Sequence, residues 1–281
     1  MTDSYKKFQL PLVIIRGGGD LATGAAYRLY KSGWPVLITE LEKPRMVRRT
    51  VCMGEAVWDG KIEIEGVRAE KTELGSLAET NGGTSAVMDK ILKREMIGVI
   101  VDPEGLSIKT LRPRILVDAR MTKLKAEDQR AEGRLTVGIG PGFEAGVNVD
   151  AVIETMRGIT LGKVLYEGAA IPNTGVPGVV GGESIRRLLK APAAGIFEAE
   201  ARIGDIVKAG QLVGHVAGAP VHVQIDGLLR GLIRNGTEVK LDEKIGDCDP
   251  RGSKVDVYTI SDKSRAIGGG VLEAACTFLF A

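Results

Sequence analysis

A chain of 281 residues is long enough for two modest domains and a substantial core. Its 38 basic and 36 acidic residues leave a formal charge of +2, and only 4% of residues are aromatic, so neither nucleic acid nor an anionic membrane is expected as the main partner. No run approaches the roughly 20 apolar residues of a membrane span, and the N-terminal apolar segment, broken by Arg16, lacks a signal-peptide pattern.

The chain opens with the apolar run Leu12-Val13-Ile14-Ile15, then Arg16, the triplet Gly17-Gly18-Gly19, and Asp20, Leu21 and Ala22. The order predicts a buried strand, a tight glycine turn and a helix whose N-terminus offers free amides and a positive dipole end to an anion. Gly17-x-Gly19-x-x-Ala22 fits the dinucleotide fingerprint, whose third position is Gly or Ala. Ala25, Ala26, Leu29 and Tyr30 continue the helical spacing, and Ser32-Gly33 ends it. A second strand over 35–40 finishes on Glu40, 23 residues after Gly17, near the position of an acid that binds a ribose hydroxyl. Lys43, Arg45, Arg48 and Arg49 follow, and each is either a phosphate contact or part of a solvated basic loop. The same pattern also fits a strand–helix turn that holds no ligand.

Runs at 97–102 and 115–118 end in Asp102 and Asp118, and 135–139 leads into Gly140-Pro141-Gly142-Phe143. If these strands are parallel, Gly19, Glu40, Asp102, Asp118, Gly140 and Gly142 share the ligand-binding edge of the sheet. Residues 146–190 are Gly- and Pro-rich and predict a connecting region; Asp150 and Glu154, four apart, are an acid/base pair or ordinary surface carboxylates. Segment 195–216 then repeats at 227–248 with a constant offset of 32, pairing Gly195 with Gly227, Arg202 with Arg234 and Val207 with Val239. Two such strand–turn–strand copies predict a pseudo-twofold β structure. Its motifs resemble biotinyl/lipoyl domains, small barrel-sandwich hybrids, yet the central hairpin at 217–224 has no lysine to carry a prosthetic group. The last segment begins a helix at Ser261 with the stripe Ile267, Val271, Leu272, Ala275 and Leu279, which needs a surface to pack on. Its three adjacent glycines cost about 1 kcal/mol each against alanine, which points to a close backbone approach or an anion-receptive turn.

The expected architecture is therefore α/β: a Rossmann-like parallel-sheet, nucleotide-binding domain (1–145), a connecting region (146–190), a barrel-sandwich hybrid (191–250) and a C-terminal segment with a helix (251–281). Cys52, Cys248 and Cys276 are never in Cys-x-x-Cys spacing, which suits a reducing cytoplasm. With only His215 and His222 besides, no metal site and no His-based triad is expected. No catalytic residue emerges.

Several longer stretches together carry a resemblance. Arg16-Gly17-Gly18-Gly19-Asp20-Leu21-Ala22-Thr23-Gly24, Arg48-Arg49-Thr50-Val51, Gly140-Pro141-Gly142-Phe143, Glu154-Thr155-x-Arg157-Gly158, Asp249-Pro250-Arg251 and the run from Ser261 to Ala274 resemble the YqeB family across nearly the whole chain. Met53 and Cys248 depart from the aromatic and aliphatic residues expected there. The resemblance implies a cytoplasmic accessory, or maturation, protein of selenium-dependent molybdenum hydroxylases, with hydroxylase subunits as partners. Its ligand would then be NAD(P) or a molybdopterin-type dinucleotide, since both present a diphosphate to the glycine turn. The competing expectations are an NAD(P)-dependent oxidoreductase acting on a small metabolite, for which no proton donor stands out, and a ligand-free scaffold.

Overall fold

The computed structural model describes residues 10–74 and 86–280. The first strand, β1 (Val13–Arg16), is a β-branched run buried along its whole length, as a strand covered on both faces requires. It turns through the glycines into α1 (Asp20–Lys31), which has Asp20 in its first turn and Arg28 and Lys31 in its last, complementing the helix dipole at both ends. Then follow β2 (Val36–Glu40), the single turn α2 (Ala56–Asp59), the hairpin β3 (Lys61–Ile64) and β4 (Val67–Lys71), α3 (Ala86–Leu92), β5 (Ile97–Val101), α4 (Leu106–Leu111), β6 (Ile115–Asp118) and β7 (Leu135–Ile139). Beyond them lie β8 (Glu144–Ala145), β9 (Ala151–Ile153), β10 (Val164–Leu165) and β11 (Gly168–Ala169), of which β8 and β11 pair with each other.

Nine of these strands form one sheet in the order β10-β9-β7-β6-β1-β2-β5-β4-β3. Its central neighbours run parallel, and the outermost pairs, β3 with β4 and β9 with β10, run antiparallel. The hairpin reversal follows from Glu65 and Gly66, both at positive φ (49° and 73°), a two-residue loop whose twist matches that of the flanking strands. On one face Val13, Ile15, Val36 and Ile38 pack against α1 and the C-terminal helix α5 (Asp262–Phe280); on the other, Ile14, Leu37, Ile100 and Leu116 pack against Met88, Ile91 and Ile108 of α3 and α4. The segment joining β6 to β7 contains no helix. Ile267 and Val271 of α5 cover that part of the sheet instead, beside Ile139, Ile153 and Val164.

Contact between α1 and α5 is close because it is made of glycine. A Cβ on Gly24 would lie 2.1 Å from the Ser264 carbonyl oxygen, and one on Gly268 would lie 2.3 Å from the carbonyl oxygen of Gly24. Gly268, against α1, and Gly270, against the Gly162 carbonyl, are therefore packing positions within an unbroken helix, whereas Gly269 between them meets open space.

The remaining strands are β12 (Leu188–Lys190), β13 (Gly195–Ala199), β14 (Ile206–Val207), β15 (Leu212–Val216), β16 (Ala219–His222), β17 (Gly227–Leu232), β18 (Glu238–Val239) and β19 (Lys244–Asp249). They make two four-stranded antiparallel sheets, β12-β19-β17-β14 and β16-β15-β13-β18, around a core that includes Phe197, Val213, Leu229 and Ile245. The two sequence copies exchange their short strands. Val207 of β14 pairs with Gly227 of the second copy, and Val239 of β18 pairs with Gly195 of the first.

These pairings correct the expected architecture. The first sheet is not a Rossmann-like parallel sheet: it is mixed, its edges are reversed, and β9 and β10 come from the segment read as a connector. Nor is the second unit a small biotinyl/lipoyl-like barrel-sandwich hybrid. It consists of two antiparallel sheets, one of which takes β12 from that same connector. Strands 164–165 and 188–190 are both too short to carry a periodicity of their own, and 188–190 is in addition fixed by a partner far along the chain.

Candidate functional site

The C-terminal ends of β1, β2, β5 and β6 meet in a cleft of about 610 Å³, lined by Arg16, Gly17, Gly19, Asp20, Leu21, Glu40, Arg48, Asp102 and Arg120 from the first unit and by Lys244 of β19 from the second. The glycine turn has two different roles. The Gly17 amide donates to the Thr39 carbonyl (2.8 Å) and the Gly18 amide to Glu40 Oε2 (2.7 Å), while the Gly18 carbonyl accepts from Gly54 (2.9 Å). A Cβ on Gly18 would sit 2.6 Å from Gly54 Cα, so that residue is a close-packing contact. Gly19 is its opposite: a Cβ there would meet nothing within 4 Å. Among the described residues no acceptor takes the amides of Gly19, Asp20 or Leu21, as expected in the first turn of a helix. Ala22, next in the turn, is buried.

Charge around this turn is organised about Asp20. Its Oδ2 accepts from Arg48 Nη1 (2.8 Å) and its Oδ1 from Ser264 Oγ (2.5 Å), which ties α1 to the start of α5. Two lysines lie nearby with no hydrogen bond or ion pair among the described residues. Lys244 is open to the cleft but crowded by protein, which pushes its ammonium below the ordinary lysine value against the opposing pull of Asp247. Half-buried Lys263, in the first turn of α5, is lowered by burial and by repulsion from Arg157. Glu40 is raised by burial, and the amides of Leu41 and Gly18 partly oppose that. Its two oxygens clamp those amides (2.7 Å each), and a carboxylate retains further lone pairs for a hydroxyl donor.

Of the residues singled out in the sequence, Gly17, Gly19, Asp20, Leu21, Glu40 and Arg48 line the cleft. Arg49 does not: its Nε donates to the Leu232 carbonyl (2.8 Å) and holds the two units together. Gly140 (φ +82°) packs on Thr155 and Gly142 (φ +104°) on the Leu124 carbonyl, both away from the cleft. Asp102 reaches it, with its carboxylate engaged by the amides of Leu106 and Ser107 and by Ser107 Oγ; burial raises its pKa, and these bonds pull it below the ordinary value. Asp118 is buried on Arg120 and Gln129.

Lys244 and Arg16 escaped the sequence reading: the first because a different unit supplies it, the second because a charge at the end of an apolar run reads only as an interruption. The cleft thiol, Cys52, donates to the Arg48 carbonyl, and burial pushes its pKa well up; Cys248, between the sheets, is pushed up to about 11. Neither is a thiolate at neutral pH. His215 pairs with Glu200 and His222 with the Gly210 carbonyl, both in the second unit. Among the described residues no group of His, Cys, Asp and Glu is arranged to hold a metal ion, and no helix is long and apolar enough to cross a membrane.

Over 263 residues, 94% of its length, the chain is 43% identical to "Uncharacterized protein YqeB" of Escherichia coli (strain K12). The likeness runs along nearly the whole of this chain. The chain spans about half, 47%, of the length of this curated YqeB relative. No family model matches. Similarity to solved structures is low: an aspartoacylase family protein from Mesorhizobium loti (12% identity, 85% of each chain, TM-score 0.26), a product-bound ectoine utilization protein from Ruegeria pomeroyi (11%, 85% of each chain, 0.26), and a succinylglutamate desuccinylase/aspartoacylase from Rhodobacter sphaeroides (19%, 24% of this chain and 22% of that one, 0.21). At these scores the likenesses carry no argument about fold or chemistry.

Proposed function

We propose that the chain is an accessory protein that binds the diphosphate of a dinucleotide, NAD(P) or a molybdopterin-type dinucleotide, at the N-terminus of α1. One observation carries this reading. The amides of Gly19, Asp20 and Leu21, unclaimed among the described residues, border the cleft where Gly19 leaves open space, and Lys244, unpaired among the described residues, lines the same cleft. Helix-terminal amides and a compact ammonium together match a diphosphate, and Glu40 is placed to accept from a ribose hydroxyl. Arg48 is the counter-ion of Asp20. NAD(P) bound there would supply hydride chemistry, and a molybdopterin-type dinucleotide would supply a handle for cofactor transfer. Service to selenium-dependent molybdenum hydroxylases rests on the family resemblance, and their subunits are the proposed partners.

Calorimetric titration with NADH, NADPH and a cytosine dinucleotide tests the reading. One of them binds saturably, and each of two variants weakens it by about tenfold: Lys244→Gln by the loss of one charge-assisted contact, and Gly19→Val by filling the open space beside the amides. Absence of saturable binding, or binding indifferent to both variants, refutes it. Co-purification of a molybdenum hydroxylase subunit with the tagged chain is the separate test of the partner.

A further inference from the structure

Arg16 ends β1 and is 9% exposed, yet its guanidinium makes no hydrogen bond among the described residues. Among the described residues its one ionic neighbour is Glu132, with Nη1 3.9 Å from Oε2, too long for a hydrogen bond, and that carboxylate oxygen is itself buried there without a hydrogen-bond partner. The acid of the neighbouring loop, Asp102, is consumed by Leu106 and Ser107. Gly105, at φ +72°, lays its backbone against the guanidinium, where an added Cβ would come within 3.3 Å of Nη2. A guanidinium has five donors, and those of Arg16, claimed by no acceptor among the described residues yet not sealed from solvent, are left to whatever occupies the cleft. Arg16 lines the cleft, so an acceptor reaches it from there. Its position beside Gly105, at the head of α4, puts it on the face of the sheet opposite α1.

We infer that Arg16 is a second anion subsite, which takes a carboxylate or phosphoryl group of the bound molecule across the sheet edge from the diphosphate on α1. The inference rests on the reading of the α1 terminus given above. The cleft is then selective for molecules that carry an anionic group apart from their diphosphate, and a planar guanidinium takes such a group through two parallel hydrogen bonds. Neither Lys244 nor the α1 amides supply that fork.

Nitrogen-15 NMR of the full chain, titrated separately with inorganic phosphate and with acetate, resolves the two subsites. In the wild type, phosphate shifts the Gly19 amide and, with its own saturation constant, the Arg16 Nε–Hε and Gly105 amide signals; a shift with acetate as well identifies the subsite as open to carboxylates. Arg16→Met weakens the Gly105 response at least about tenfold and leaves the Gly19 response within about twofold; combined with Glu132→Gln, so that no carboxylate is left without its neighbour, it does not lower the urea midpoint. If Gly19 responds while Arg16 and Gly105 do not move with either anion, the second subsite is wrong and the α1 reading stands. If Arg16 responds and Gly19 does not, the α1 reading fails and Arg16 is an independent anion site. A clear fall in the urea midpoint of the Arg16→Met/Glu132→Gln double variant makes Arg16 a structural residue and overturns the inference.

Discussion

Adjacent glycines in the same turn are predicted to respond to alanine in opposite ways. In Gly18→Ala the new methyl lies 2.6 Å from both Gly54 Cα and Gly54 N, and backbone on both sides prevents a side chain from simply rotating away. The turn and the Gly54 segment must separate by most of an ångström, which strains the hydrogen bond from Gly54 to the Gly18 carbonyl (2.9 Å). Overpacking of this kind costs about 1–3 kcal/mol, and a lost backbone hydrogen bond adds about 1 kcal/mol, so a destabilisation of roughly 2–4 kcal/mol is expected. Gly19→Ala meets open space at an ordinary φ of −73°. Its effect on stability is between nothing and a gain of about 1 kcal/mol, from a less flexible unfolded chain, whereas its methyl enters the cleft and weakens dinucleotide binding. Urea denaturation monitored by circular dichroism measures the first effect and calorimetry the second. Equal stability of the two variants, or loss of stability in Gly19→Ala alone, would refute the division of the turn into one packing glycine and one open glycine.

Gly24→Val is expected to lose more than Gly18→Ala, because its Cβ collides with the Ser264 carbonyl at 2.1 Å and forces α5 off α1; detachment is read as faster amide exchange across 262–280. The inaccessible Asp249 is raised by burial, but Arg251 and Arg230 hold it far below the ordinary carboxylate range, so the folded state gives up that proton more readily than the unfolded chain. Its contribution is present above the unfolded value near pH 3.8 and is lost as pH falls toward the folded value; Asp249→Asn is therefore expected to be destabilised by about 3–5 kcal/mol at pH 7 and to show a flatter acid limb in urea midpoints measured from pH 6 to pH 3.

How far the sequence could be read differs by element, for physical reasons. β1, the glycine turn and α1 fall close to where the apolar run and helical spacing place them, because each is specified by contiguous residues. The hairpin of β3 and β4 was legible in principle: Ile62, Ile64, Val67 and Ala69 alternate around Glu65-Gly66, but charged neighbours mask an edge strand. Strand direction was not legible, since a buried Val–Ile run looks the same parallel or antiparallel. Within the cleft, Arg48 and Arg49 show the limit of residue type as a guide. They are consecutive, yet one meets Asp20 and the other the Leu232 carbonyl, because the short 3₁₀ turn beginning at Arg49 sends neighbouring side chains apart. Lys244 belonged to the site only after a distant β unit was laid against it.

The exchanged short strands in the second unit have a consequence for how that unit comes apart. Each copy's outermost rung is clasped by its twin, so neither half can peel away while the other stays intact. Loosening must undo both clasps together, and the wall of the cleft that carries Lys244 holds its shape in an all-or-none manner.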